Sequence, residues 1–567
     1  MSDPEAAWRS HYRHPTRWDT AYPPTTLIAL FDDAVARWPE RPLIDFLGRH
    51  YSYAETADGA ARVAAGLVAL GFGRGDRIGL FLPNIPHYLA AYYGALRLGA
   101  TVVNFSPLYS VEELAHQVAD SGTRVLFTLS ASALLPTALA VLERSALERL
   151  VVGSVAGALP PAKSLFYRWF RGRETTPRPD DPRVTAFSAL IDHGTAPAEP
   201  VRPEDVALIQ YTGGTTGTPK GAMLTHANLA ANARQVNALD PHRDRPDRIL
   251  GALPLFHVFA NTCVLNRTVA NGGEIVLLPR FDAAQVLAAI RRTKPTALPG
   301  VPTMYQALLD RPEIAKTDFS SMRICISGGA PLPESLANAW AATTGAPLVE
   351  GYGLSESSGV LTANPYEGAG KPGTIGQPLP ATRLKLVDKE DPTRPAPNGE
   401  PGEIVAAGPQ LMAGYWQRPD ADAEVFVTDR DGTRWLRTGD VGTIDVDGFV
   451  SVVDRLKDMI AVGGFKVFPS QVEDVLYRHP AVREALVIGV PDPYAGERPR
   501  AFVTLVEDVA ASGEELAAWL NPQLGKHERV DAVVVREALP KTMIGKLSRK
   551  ELSAEVARLD PAAGAAA

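Results

Sequence analysis

The stretch that most constrains this chain is residues 211–221, YTGGTTGTPKG. It follows an apolar, β-rich run, VALIQY (206–211), and precedes a helical pattern that starts near Ala227. Gly213, Gly214 and Gly217 let the backbone turn tightly and bring its N–H groups up to an anion. Thr212, Thr215, Thr216 and Thr218 add hydroxyl donors and Lys220 adds a positive charge, a set that suits a polyphosphate. The loop of P-loop NTPases needs Gly-Lys followed by Ser or Thr. Here Pro219 precedes Lys220 and Gly221 follows it, so that class is excluded.

The segments before this run alternate in pattern. LIALFDDAVARW (27–38) has apolar residues at helical spacing, RIGLFLPN (77–84) reads as a strand stopped by Pro83, YLAAYYGALRLG (88–99) as a helix and ATVVNF (100–105) as a strand. Such alternation predicts an α/β architecture with largely parallel sheets. With 567 residues the chain needs more than one domain-sized unit. A net charge of −7 and a pI near 5.9 argue against a nucleic-acid partner, which calls for a basic stripe. Cys263 and Cys325, the two cysteines, exclude a disulfide scaffold and a four-cysteine zinc site; their apolar surroundings read as buried core thiols. The first residues lack the layout of a secretory signal, no apolar run reaches membrane-spanning length, and the Ala-rich end carries no targeting signal. These features predict a cytoplasmic protein, with peripheral membrane contact and dimerisation left open. Residues 160–183 break the α/β pattern. There SLFYRWFRGR (164–173) reads as a surface helix packing its aromatics on the domain, with an interfacial helix touching lipid headgroups as the alternative.

The run YTGGTTGTPKGAMLTHANL resembles the signature loop of the adenylate-forming superfamily, which includes acyl-CoA synthetases, beetle luciferases and nonribosomal peptide adenylation domains. Six further segments resemble that family's motifs. In GYGLSESSG (351–359) the likeness implies that Tyr352 stacks near adenine beside Gly351, Ser355 contacts phosphate and Glu356 holds Mg2+, with Thr212 as a second ligand. A carboxylate beside a triphosphate needs a cation between them. SGGAPLP (327–333), with Gly329, resembles the segment lining the adenine and acyl pockets. In RTGD (437–440) Asp440 would accept the ribose hydroxyls. In DRLKDMI (454–460) Arg455 would contact phosphate, and Lys457 would be a hinge. In GGFKVFPSQVED (463–474), Gly463 and Gly464 would line the coenzyme A tunnel. In PKTMIGKLSRKEL (540–552), Lys546 would neutralise charge developing between the carboxylate and the α-phosphate.

The resemblance implies a large N-terminal domain, 1–456, of α/β sheet layers with a β-barrel-like subdomain. A hinge near Lys457 would join it to a small α+β C-terminal domain, 457–567. It also implies ATP and coenzyme A as co-substrates and Lys546, Lys220 and His257 as catalytic groups. His257 lies in LPLFHVFAN (253–261), which resembles the segment beside the acyl pocket; a core histidine is the alternative. No carrier domain follows Lys546, which favours a stand-alone ligase over a nonribosomal adenylation domain. NFSPLYSVEELAHQVADSG (104–122), GPQLMAGYWQRPDA (408–421) and KDMIAVGGFKVFPSQVEDVL (457–476) are most similar to bacterial long-chain fatty acid–CoA ligases. Two departures stand out: Asn261 where some long-chain members carry a gating tryptophan, and GKHERV (525–530) in place of a Tyr-Lys-x-Pro turn. Medium-chain or dicarboxylic acids, met by Arg267 or Arg280, remain an alternative, as do an acyl-AMP ligase without transfer to coenzyme A and an inactive nucleotide-binding regulator.

Overall fold

A computed structural model describes residues 9–559, apart from 171–173, 213–218, 369, 398, 464 and 543–545. Among the described residues, two large sheets stand side by side. One has eight strands, at its centre Arg77–Leu80, Thr101–Asn104 and Val206–Thr212, which pair in parallel. The other has nine, including Ala297–Gly300, Ile324–Gly328 and Leu348–Tyr352 in parallel register. Their short apolar strands are covered on both faces, and Val125–Leu129 is buried along its whole length, as parallel strands between helices require.

The flanking helices follow local rules. Tyr53–Ala69 and Val111–Ser121 start on capping boxes, Ser52 with Glu55 and Ser110 with Glu113, and the second stops at Gly122, whose φ of 65° suits glycine. The helix and strand patterns at 27–38, 77–84, 88–99 and 100–105 correspond to Leu27–Arg37, Arg77–Leu80, Pro86–Arg97 and Thr101–Asn104.

The strand before the Gly/Thr run and the helix expected from about Ala227 are both present, and between them lies a strand that the pattern did not suggest: Lys220–Thr225 returns antiparallel with Thr212 opposite Lys220. Only then does the helix His226–Asn237 begin, capped by the Thr225 side chain. Gly221, Ala222, Leu224 and Thr225 of this strand are buried, and without strict alternation its sequence gives little sign of a strand.

A third sheet of five strands, built on Gly402–Ala407 and Arg434–Ile444, carries the barrel-like part. The last sheet, with Val482–Asp492 and Gly496–Leu505 at its centre, lies beyond residue 459. Apolar side chains from Leu27 to Val450 form one continuous core, and those from Ile460 to Leu552 form two smaller ones. The chain is thus a large N-terminal α/β body with a small C-terminal α+β one.

The helix Pro161–Phe170 divides its aromatics. Tyr167 packs against the main core, whereas Leu165, Phe166 and Trp169 are exposed. The expectation that this helix buries its aromatics therefore holds for one ring and fails for two. Among the described residues no helix is long and apolar enough to cross a membrane.

Candidate active site

A cleft of 3030 Å³ runs between the two large sheets, the third sheet and the C-terminal body. Thr212, Lys220, His257, Gly329, Gly351, Tyr352, Ser355, Glu356, Asp440, Arg455, Lys457 and Lys546 all line it. Seven segments far apart in sequence thus converge. Gly213, Gly214, Thr215, Thr216, Gly217 and Gly464 lie outside the described residues. Gly463 is in the hairpin turn between Ile460–Val462 and Phe465–Val467, with φ +57°, and does not line the cleft.

Asp440 is the most constrained carboxylate. It sits opposite Arg455 in an antiparallel pair of strands, and the Arg455 Nε stands 3.0 Å from its Oδ1. Tyr352, at the end of its parallel strand, donates to Oδ2 at 2.5 Å. The turn before Asp440 is held by Glu403, which sequence reasoning missed. Its Oε1 accepts the Gly439 N–H at 3.1 Å and its Oε2 accepts Arg437. A glutamate inside the otherwise apolar strand GEIVAA, nearly fully buried, was the signal available.

Glu356 lies on the tight turn Ser355–Ser357 that follows Tyr352. Tyr415 donates its hydroxyl to Glu356 Oε1 at 2.7 Å. The Lys220 Nζ sits over the Tyr415 ring, 5.4 Å from its centroid, and 3.6 Å from Glu424. A cleft carboxylate oriented by a hydroxyl fits a hard cation such as Mg2+, which takes one or two carboxylates plus substrate oxygens. Thr212 donates its hydroxyl to the Lys220 carbonyl at 3.3 Å, closing the hairpin below the loop. Tyr415 was legible as part of GYWQRP, but nothing in the sequence pairs it with Glu356.

Lys546 reaches the cleft from the C-terminal body. Its loop is closed by hydrogen bonds between Thr542 and Lys546 and from Ser548 to Pro540, and Arg549 beyond it is tied to Glu473 and Asp458. A Cβ placed on Gly329, whose φ is +83°, would lie 2.6 Å from the Lys546 Cε and 3.2 Å from its Nζ. The lysine therefore rests directly on the glycine. Burial, and then the Arg455 cation, pull its pKa down to about 8. The same two causes lower Lys457. His257 accepts the Phe259 N–H on Nδ1 at 3.3 Å, and burial together with Lys546 holds it neutral, at a pKa of about 3. It is thus both a cleft residue and a helix cap. Glu350, one strand position before Gly351, is pushed up to about 8 by burial.

Besides His257 the cleft is lined by Phe259, Val236, Leu239, Cys263 and Ile375, an apolar part of its wall, the apolar branch. Both cysteines are buried free thiols, raised to about 12 by burial. Asn261 does not face this branch. It is buried on a π-helical turn, where its Oδ1 accepts Tyr92 at 3.3 Å and Asn266 at 2.8 Å. Arg267 is buried between Asp240 and Asp247, 2.5 Å from the latter, and Arg280 is exposed; neither lines the cleft. The alternative in which Arg267 or Arg280 meets a second carboxylate finds no support in their placement: Arg267 is engaged by two buried aspartates that also pair with Arg323.

A carboxylate clamp on a strand pair, a second carboxylate beside a lysine, and a further lysine brought in by a separate body together define a nucleotide-binding enzyme of the adenylate-forming type. A family model for AMP-binding enzymes matches residues 31–416 and one for the AMP-binding enzyme C-terminal domain matches residues 471–546, so the chain belongs to the AMP-binding enzyme family. It is 38% identical over 556 residues to a long-chain-fatty-acid–CoA ligase of Bacillus subtilis (strain 168), covering 97% of this chain and 98% of that one. It is 39% identical over 507 residues to a feruloyl-CoA synthase of Amycolatopsis sp, covering 89% and 94%. The crystal structure of the anthranilate CoA ligase AuaEII in complex with anthranoyl-AMP is similar over 96% of this chain and 99% of that one, with a TM-score of 0.83 and 26% identity.

Proposed function

We propose that this enzyme activates a long-chain fatty acid with ATP as an acyl-adenylate and transfers the acyl group to coenzyme A, releasing AMP and pyrophosphate. The observation that carries this reading is Lys546, resting on Gly329 in the cleft that holds Asp440, Arg455 and Glu356. In the first step an oxygen of the fatty carboxylate attacks the α-phosphorus and pyrophosphate leaves. Lys546 stands over the shared charge, Lys220 and the Gly/Thr loop hold the departing phosphates, and Asp440 accepts the ribose hydroxyls. Arg455 serves the phosphate and holds Asp440 in place. Glu356, aimed by Tyr415, is the residue that would hold Mg2+, with Thr212 as a second donor. When bound, the ion supplies charge neutralisation between the phosphates. His257, being neutral, orients the acid at the branch mouth without adding charge.

In the second step the coenzyme A thiol attacks the mixed anhydride. We infer that residues 457–567 turn about Lys457 between the steps, withdrawing Lys546 and bringing Gly463 and Gly464 to the thiol's route. The position of Gly463 outside the cleft supports two arrangements rather than one. The apolar branch and the engagement of Arg267 with aspartates favour a monocarboxylic tail, and the fatty-acid ligases among the relatives support its length. We place the enzyme in the cytoplasm, where ATP and coenzyme A are supplied, with peripheral contact to a membrane that stores its substrate.

The test is coenzyme A-dependent AMP release across monocarboxylic acids of graded length, with dicarboxylic and aromatic acids alongside. Turnover should rise with chain length and be poor on dicarboxylates. Faster turnover on an aromatic acid such as ferulate than on any fatty acid would overturn the substrate assignment.

A further inference from the structure

The helix Pro161–Phe170 leaves an apolar face in water that the chemistry of the cleft does not use. Leu165, Phe166 and Trp169 are 59%, 60% and 78% exposed. Spaced by three and four residues about Trp169, they share one side of the helix. The other side is fastened down. Tyr167 packs into the main core, and the Lys163 Nζ donates to the Leu47 carbonyl at 2.8 Å. The preceding short helix is held as well, with Arg49 donating to the Gly157 carbonyl and Tyr51 to that of Ala158. The face is therefore presented by a fixed platform at the edge of the nine-stranded sheet, where Pro42–Phe46 pairs with Arg49–Ser52.

Charge selects what such a face meets. From Leu150 to Arg173 the sequence contains no Asp or Glu, while Lys163, Arg168, Arg171 and Arg173 are cationic, in a chain whose net charge is −7. In sequence, an acid-free basic stretch on an otherwise acidic chain favours an anionic surface over a neutral one. Trp and Phe beside Lys and Arg are the composition that settles at the headgroup level of a bilayer, rings in the acyl boundary and charges among the phosphates.

We propose that the Leu165–Phe166–Trp169 face docks this enzyme on an anionic phospholipid bilayer. This deepens the fatty-acid reading, on which it rests: a long-chain acid resides in the bilayer, and docking brings the enzyme to it.

The experiment is co-sedimentation of the full chain with vesicles of phosphatidylcholine alone or with one third phosphatidylglycerol. The wild type is compared with the double variant Leu165→Ser, Trp169→Ser at low and high salt. The wild type should sediment with the anionic vesicles and be released by salt, and the variant should partition about tenfold less or weaker. Its thermal melting and its AMP release with octanoate, an acid that needs no bilayer, should match wild type. Equal sedimentation of the two proteins would overturn the proposal, as would failure of the wild type to bind either vesicle. So would a wild-type dimer that the double variant dissociates, since the face would then belong to a second copy. Failure to turn over any acid would sink the fatty-acid reading while leaving the sedimentation result to be read on its own.

Discussion

Lys546 is a lysine whose charge the protein both needs and discourages. Burial and Arg455 favour the neutral form and bring the pKa to about 8. Only the ammonium can neutralise the charge developing at the α-phosphate. The charged form prevails below the pKa, so kcat/KM for adenylation should be flat below pH 8 and fall above it. That alkaline limb should be missing from the residual activity of Lys546→Ala. The same variant should slow acid-dependent pyrophosphate exchange by about a hundredfold or more, while transfer of supplied acyl-AMP to coenzyme A keeps most of its rate. Equal losses in both half-reactions would remove Lys546 from the adenylation step. Tyr415 makes a second residue-scale case. It touches the Glu356 carboxylate, a pairing that its segment GYWQRP does not disclose. Tyr415→Phe should raise the Mg2+ concentration for half-maximal exchange by about tenfold, the usual effect of removing a group that orients a metal ligand. An unchanged Mg2+ titration would make the contact purely structural.

At the scale of elements, the site depends on turns that place side chains at strand ends. Gly329 follows the strand Ile324–Gly328 with φ +83°, and Lys546 occupies the space a side chain would need. Gly329→Ala meets two costs at once, a strained backbone and expulsion of the lysine, the first of about 1–2 kcal/mol. Pyrophosphate exchange should fall toward the level of Lys546→Ala, with transfer from acyl-AMP to coenzyme A largely spared. A loss in both half-reactions with a lowered melting temperature would mean that the glycine serves folding alone. Among these elements the helix Tyr53–Ala69 and the strands Pro42–Phe46 and Arg49–Ser52 were not assigned, whereas the helices and strands at 27–38, 77–84, 88–99 and 100–105 were legible, because apolar period is local. The hairpin return Lys220–Thr225 was not, since the Gly/Thr run before it reads equally well as an entry to a helix.

For the whole molecule, an ion pair joins the two bodies. Arg483, on the first long strand of the C-terminal sheet, donates to Asp310 at the end of the helix Pro302–Leu309, at 2.5 Å. Both side chains are about two-fifths exposed, 43% and 40%, so the pair contributes only about 0–1 kcal/mol to this arrangement. Arg483→Glu should therefore lower adenylation by no more than about fivefold, more at low salt than at high, and spare transfer to coenzyme A. Adding Asp310→Arg should restore the rate, and failure of this reversal would show that the pair does not hold the lid.

What the sequence determined by itself was the chemistry. Glycines that must turn, a carboxylate that must face a ribose and lysines that must meet phosphate are requirements on residue type over a few positions, and seven such segments stand in order along the chain. Tertiary structure decided which of those residues meet and which do not. Asn261 turns into a polar core with Tyr92 and Asn266, and Arg267 is held by Asp240 and Asp247; both looked available to a substrate when read linearly. Glu403 and Tyr415 entered the site unannounced. The direction of a side chain is set by packing between segments hundreds of residues apart, and local spacing carries no record of it. The same holds for the helix Pro161–Phe170, whose sequence reads as aromatic and basic but whose exposed face is known only from what the rest of the fold leaves uncovered.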